Sequence, residues 1–167
     1  AKIVLAPDDL SELAKEIPEL IGIKVAGGDA QWYEAMKKYN SGLSVFVPGH
    51  FLATGFQTRV AAGAYSNIAC LSPQGAQWWW ELMQTDIAGA IAIQERILQF
   101  FSKYINPYKN AGYSNPALDK FLAAVGGWGN IGTRLRWPYK WISEEEAPAV
   151  HKKAKEYFPE FFNANPD

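Results

Sequence analysis

Apolar positions along this chain alternate between two spacings. Leu10, Leu13, Ala14 and Ile17 follow Asp8-Asp9 at intervals of three and four, which predicts a short helix with acidic residues in its first turn and Pro18 as its stop. Leu20-Ile21-Gly22-Ile23-Lys24-Val25-Ala26 is then a nearly unbroken apolar run closed by Gly27-Gly28, the pattern of a strand buried on both faces. Asp29 is placed to cap a helix through Trp32, Tyr33, Met36 and Tyr39, ended by Asn40-Ser41-Gly42. The cycle repeats with a strand from Leu43 to Val47 ending at Pro48-Gly49-His50, a short helix from Leu52 to Val60, and a third strand from Gly63 to Ile68. Such compact strand–helix–strand connections require parallel strands and right-handed crossovers, so the first part of the chain is α/β.

Beyond Pro73 the strand pattern ceases. Trp78, Trp79, Leu82, Met83, Ile87, Ala90, Ile91, Ile97, Leu98 and Phe101 predict one long helix to about Tyr104, or two with a break near Thr85-Asp86, stopped by Pro107 and the Asn110-Ala111-Gly112 turn. Asn115 is a candidate cap for a helix from Pro116 to Val125, and Gly126-Gly127-Trp128-Gly129 reads as loop. Ser143 with Glu146 three positions on has capping-box spacing for a last helix.

Three apolar parallel strands leave two open edges, so other strands are expected beside them, from another chain or from the rest of a parent protein. Composition sharpens this point. The chain has 167 residues, 49% of them hydrophobic and 14% aromatic with seven Trp, an unusually large stock of contact-forming rings. Sixteen basic against 17 acidic residues give a net charge of -1, which argues against nucleic acid or an anionic membrane surface as partner. One cysteine, Cys70, rules out an internal disulfide, and two histidines, His50 and His151, leave little for a metal site. With no apolar run near ~18 residues and no signal-peptide pattern, a cytoplasmic protein is expected.

Lys24 is the residue that needs a reason, because an ammonium loses its hydration inside an apolar strand. Near the C-terminal end of a parallel strand, a lysine stands where β/α barrels place chemistry. Burial would lower its pKa, and a neutral amine attacks a carbonyl to form a Schiff base. The alternative is a lysine whose head reaches solvent at the strand end or pairs with Asp29.

Ile21-Gly22-Ile23-Lys24, followed by a small-residue turn and Asp29, resembles the Schiff-base strand of the dihydrodipicolinate synthase / N-acetylneuraminate lyase family. The likeness continues in order. Leu10-Ser11-Glu12-Leu13-Ala14 and Ile17-Pro18 match the preceding helix and turn, Gly49 the glycine ending the seventh barrel strand, and Gly63-Ala64-Tyr65-Ser66-Asn67 the eighth strand. The long helix after Pro73, Asn115-Pro116 with Lys120, and Arg136-Trp137-Pro138 before Ser143-Glu144-Glu145 match the family's C-terminal helical extension.

The fold this implies is α/β: the C-terminal part of a (β/α)8 TIM barrel, about strands 6–8, followed by a helical extension. Residues 1–72 would be the partial barrel carrying the Schiff-base lysine, and residues 73–167 the last barrel helix and the helical region. The implied activity is that of a class I pyruvate-dependent aldolase, lyase or synthase. Lys24 would form the imine, with pyruvate or another 2-keto acid and an aldehyde as substrates and no cofactor or metal. Ala26, Gly49, His50, Tyr65 and Asn67 fall at substrate-lining positions. The family's assembly implies a homo-oligomer, a dimer or tetramer. Gly49-His50-Phe51 stands where the family often has Gly-Asp-Asp or Gly-Phe-Asp, and Tyr65 where it usually has Ile. The family's carboxylate-binding Gly-x-Thr-Thr/Ser-Gly-Glu stretch and its proton-relay tyrosine lie upstream of the matched region. The missing N-terminal half of the barrel is therefore an expected partner, and the chain alone is expected to be inactive.

Within the enzyme reading, dihydrodipicolinate-synthase-like chemistry leads, beside sialic-acid cleavage, sugar-acid aldol and hydratase-aldolase alternatives. A different class, a non-catalytic half-barrel module that assembles through its Trp-rich helices, also fits. His50 at a strand end has the titration range of a general base, or is a pocket-rim residue. Trp78-Trp79-Trp80 point in different directions on a helix, which predicts one or two core contacts and one interface contact. Arg134 and Arg136 beside Trp137 suggest packing and cation–π roles, His151-Lys152-Lys153 a solvated helix face, and Cys70 a buried structural thiol.

Overall fold

The computed structural model describes residues 5–26, 30–39 and 42–163. The chain divides into two compact units, Ala1–Tyr65 and Ser66–Asp167.

In the first unit, α1 (Pro7–Glu16) begins where Asp9 accepts a 2.8 Å hydrogen bond from the Ala6 amide, and it ends before Pro18. Strands β1 (Gly22–Lys24), β2 (Ser44–Pro48) and β3 (Ala61–Tyr65) form one parallel sheet in the order β1-β2-β3. The helices between them are α2 (Ala30–Lys38) and α3 (Leu52–Gln57), the latter entered through a single 3-10 turn, Gly49–Phe51. Asp29, Asn40 and Ser41, expected to cap and end α2, lie outside the described residues.

The sheet has one packed face and one open one. Val45 and Val47 are buried, at 2% and 0% exposure, while Ser44 and Phe46, which alternate with them, are exposed. Gly55 of α3 shows how tight the packed side is. A Cβ there would lie 2.7 Å from Ala61 Cβ and 3.3 Å from the Tyr33 hydroxyl. In this unit β1 is not buried on both faces: Lys24 is exposed and Ile21 is 77% exposed. The physical reason is that, among the described residues, β1 is an edge strand with a neighbour on one side only.

The third strand starts two residues and ends three residues before the Gly63–Ile68 stretch expected for it. Ser66 ends it by turning its hydroxyl to the Ala69 amide at 3.0 Å, which starts α4 (Asn67–Leu71) in the second unit. Helices α5 (Pro73–Thr85) and α6 (Ile87–Phe100) follow, broken at Asp86, whose carboxylate accepts from the Gly89 amide at 2.9 Å. Trp79 fills the space between them and donates its indole N–H to the Ala90 carbonyl at 3.0 Å.

A π-turn, Phe101–Ile105, leads into α7 (Asn106–Asn110), where Pro107 occupies the first turn instead of ending a helix. Helix α8 (Asn115–Gly126) packs on α4 and on α9 (Ala147–Tyr157), and α10 (Glu160–Asn163) closes against α5. The heavy aromatic content is spent here: Phe100 has Tyr104, Tyr157 and Phe158 around it at ring distances of 5.2, 5.7 and 5.1 Å. Of the three consecutive tryptophans, Trp79 is core, while Trp78 and Trp80 are half-buried.

Candidate functional site

Parallel strands present their C-terminal ends on one side, and the first unit gathers its chemistry there. Lys24 ends β1, Pro48 ends β2 with Gly49 and His50 next, and Tyr65 ends β3. Register aligns Lys24 with Phe46, Phe46 with Gly63, and Pro48 with Tyr65, with a bulge in the β3 pairing between Val45 and Phe46. Period-two alternation then puts Lys24, Phe46, Gly63 and Tyr65 on the open face.

The Lys24 ammonium lies over the Tyr65 ring, 3.9 Å from its centroid. The Tyr65 hydroxyl donates a 2.7 Å hydrogen bond to the Val25 carbonyl. Burial pushes the Tyr65 phenol above its ordinary pKa, so it remains a proton donor near neutrality. Beneath them the Phe46 ring lies against Gly63, where a Cβ would come within 3.1 Å of it. Phe46 does not stand out in the sequence as a site residue; the signal that marks it is Gly63 at the paired position of the neighbouring strand.

The other candidates are distributed as follows. Ala26 is exposed, in the bend after β1. Gly49 is buried at the start of the 3-10 turn, and His50 is half-buried with its ring 4.3 Å from that of Phe51. Asn67 belongs to the second unit, in the first turn of α4, and its candidacy rests on the sequence alone.

Cys70, His151 and Arg134 are tied to the second unit's own structure. Cys70 is half-buried, its thiol pushed up by burial and by the charge of Asp119, the opposite of an activated nucleophile. His151 is half-buried with Nδ1 2.6 Å from the Val125 carbonyl, so the fully solvated helix face expected of it is not found. Arg134 stacks on Trp141 at 5.7 Å, whereas Trp137 stands 92% exposed. A groove of about 350 Å³ lined by Gly127, Glu144, Pro148 and His151 lies in the second unit. Among the described residues no group of three His, Cys, Asp or Glu is placed to hold a metal ion, and no helix is long and apolar enough to cross a membrane.

The dihydrodipicolinate synthetase family model matches residues 1–157. No curated protein matches the chain. Among solved structures, a putative dihydrodipicolinate synthase family protein from Coccidioides immitis is similar at 20% identity and a TM-score of 0.65, covering 95% of this chain and 50% of its own. YagE, a prophage protein of the dihydrodipicolinic acid synthase family from E. coli K12 solved with pyruvate, shares 18% identity at a TM-score of 0.70 over 92% of this chain and 51% of its own. CdNal from Clostridium difficile, solved with mannosamine, shares 17% identity at a TM-score of 0.61 over 96% and 51%. The chain thus spans about half the length of the structures it matches, and it shares with them an α/β fold of a small parallel sheet with many helices.

Proposed function

The chain belongs to the dihydrodipicolinate synthetase family, and from that premise we propose that it carries the Schiff-base strand of a class I lyase or synthase, with Lys24 as the imine-forming residue. The observation that carries this reading is the place of Lys24 at the C-terminal end of a parallel strand, with its side chain on the open face of the sheet. The keto acid is proposed to be pyruvate or a close relative, consistent with the pyruvate in YagE.

In the proposed reaction the neutral Lys24 amine adds its lone pair to the keto carbon, and the carbonyl oxygen takes up a proton. The carbinolamine then expels water, leaving the C=N bond. The protonated imine draws the electron pair of the adjacent C–H bond toward nitrogen as that proton departs to a base. The enamine so formed adds to the aldehyde carbon as the aldehyde C=O π bond breaks, its oxygen takes up a proton and the C=N⁺ bond re-forms, and the reverse sequence cleaves the same C–C bond. Water finally hydrolyses the imine and restores the amine. Ala26, Gly49, His50 and Tyr65 are proposed to line the keto-acid end, with His50 at the strand mouth.

The sheet is proposed to correspond to strands six to eight of an eight-stranded barrel. Both outer edges lack a partner strand among the described residues, and the matched structures are about twice as long. Activity is therefore proposed to require the remaining strands and their carboxylate-binding groups. Borohydride reduction with pyruvate, with those strands supplied by a longer chain or a second polypeptide, tests the reading. An adduct mapped to Lys24 and lost in Lys24→Arg is expected; an adduct that survives Lys24→Arg, or none at all, refutes it.

One observation favours a second reading, a non-catalytic assembly module. Ile21 and Phe46 are 77% and 42% exposed, an apolar surface suited to a neighbouring chain. The same experiment separates the two, because a module with a vestigial lysine gives no keto-acid-dependent adduct.

A further inference from the structure

We infer that Tyr65 is a positioning residue for Lys24, its ring seating the ammonium and its hydroxyl holding the carbonyl of the next residue. The two contacts fall on consecutive residues of β1. The ring centroid is 3.9 Å from Lys24 Nζ, and the hydroxyl is 2.7 Å from the Val25 carbonyl. Tyr65 belongs to β3, so its side chain reaches across β2 to grip the end of β1.

The reach is possible because Gly63 leaves its place on the open face empty. Phe46 lies in that space, and the tyrosine two positions on passes to the strand ends. An aliphatic residue at position 65 offers neither a π face nor a donor. A free lysine side chain samples many rotamers of its four-carbon stem, and a ring face under the nitrogen restricts it to those that keep the head at the strand mouth. The attraction acts on the ammonium alone, so the seat holds the resting lysine and releases it once the nitrogen gives up its proton to attack.

The catalytic consequence rests on the Schiff-base reading, whereas the contact itself does not, and the test reads them separately. The 167-residue chain is labelled with a limiting amount of acetic anhydride, and peptide masses give the rate at Lys24 relative to exposed Lys15. In the wild type, labelling of Lys24 about threefold slower than Lys15 is expected. Tyr65→Phe, which keeps the ring, should preserve that ratio, and Tyr65→Leu should bring it to about one. Equal rates in the wild type, or a Tyr65→Phe chain that labels like Tyr65→Leu, overturn the seat. The borohydride experiment is then repeated on these variants in the longer or complemented protein. There Tyr65→Leu should slow adduct formation about tenfold at saturating pyruvate, with Tyr65→Phe in between. Protection at Lys24 without any adduct in the wild type leaves the seat standing and removes the Schiff-base reading.

Discussion

Ser72 joins two parts of the second unit that are 89 residues apart in the chain: its hydroxyl donates to the Phe161 carbonyl at 2.9 Å. The same oxygen accepts from the Gly75 amide at 3.0 Å, capping α5. Ser72 and Phe161 are both buried, so truncation removes the cap and leaves a carbonyl with neither protein nor water opposite it. Ser72→Ala should destabilise the unit by about 2–3 kcal/mol, read as a lower urea midpoint with an unchanged slope. A loss below about 0.5 kcal/mol would show that water reaches Phe161 and that the tie is nominal.

Gly126, the last residue of α8, is pinned by its neighbour's backbone. A Cβ there would lie 1.9 Å from the Leu71 carbonyl oxygen and 2.8 Å from its carbon. Backbone cannot rotate aside as a side chain can, so Gly126→Ala must push α4 and α8 apart. A cost of about 3 kcal/mol is expected. Gly129→Ala is the control, since its Cβ would meet only Ile131 at 3.6 Å, and it should leave the thermal midpoint within experimental error. Equal midpoints for the two variants would sink the argument.

How far these features were legible in the sequence depends on the range of the interaction. The break at Thr85-Asp86 was readable because Asp86 caps locally, three residues from Gly89. The stop before Pro18 was readable for the same kind of reason. The end of β3 was not: Ile68, beyond the polar Ser66-Asn67 pair, prolongs the apparent strand, whereas the Ser66 hydroxyl in fact caps the helix that follows. Glu146 was expected to complete a capping box with Ser143, yet it accepts a hydrogen bond from Tyr108, a partner 38 residues away. In the site, Lys24 stood out because a charge interrupts an apolar run. The contact with Tyr65 did not, since it depends on strand order and on a bulge that sequence spacing cannot reveal.

The Tyr108–Glu146 contact carries a pH dependence. Burial first, then the hydrogen bond to Glu146 and the nearby negative charge, push the Tyr108 phenol well above its ordinary 10.0. A tyrosine whose folded pKa exceeds its unfolded one contributes stability that is fully present below pH ~10 and is lost as pH rises toward the folded value. The denaturation midpoint of the wild type should therefore be insensitive to this residue from pH 7 to 9 and fall above about 10. Tyr108→Phe should fall less steeply. Tyr33, pushed up to about 12 by burial, leaves some slope in both proteins. Parallel curves for wild type and Tyr108→Phe through that window would refute the assignment.

Phe46 and Gly63 should be energetically coupled, and the coupling bears on the site above them. A Cβ at Gly63 would sit 3.1 and 3.3 Å from two carbons of the Phe46 ring, closer than relaxed contact. Gly63→Ala alone is expected to cost about 1–2 kcal/mol as the ring is forced off its place. Phe46 is 42% exposed, so Phe46→Ala should cost less than a core truncation does, about 1 kcal/mol. With the ring removed, the added methyl meets open space, and the double variant should be close to Phe46→Ala by itself. A double-mutant cycle should return an interaction energy of about 1 kcal/mol, whereas simple additivity would mean the ring does not rest on Gly63. Phe46 shares the open face with Lys24 and Tyr65, so a ring forced off Gly63 is expected to disturb the contact between them. Gly63→Ala should therefore raise the acetylation rate of Lys24 toward that of Lys15, and Phe46→Ala in the same chain should restore the protection.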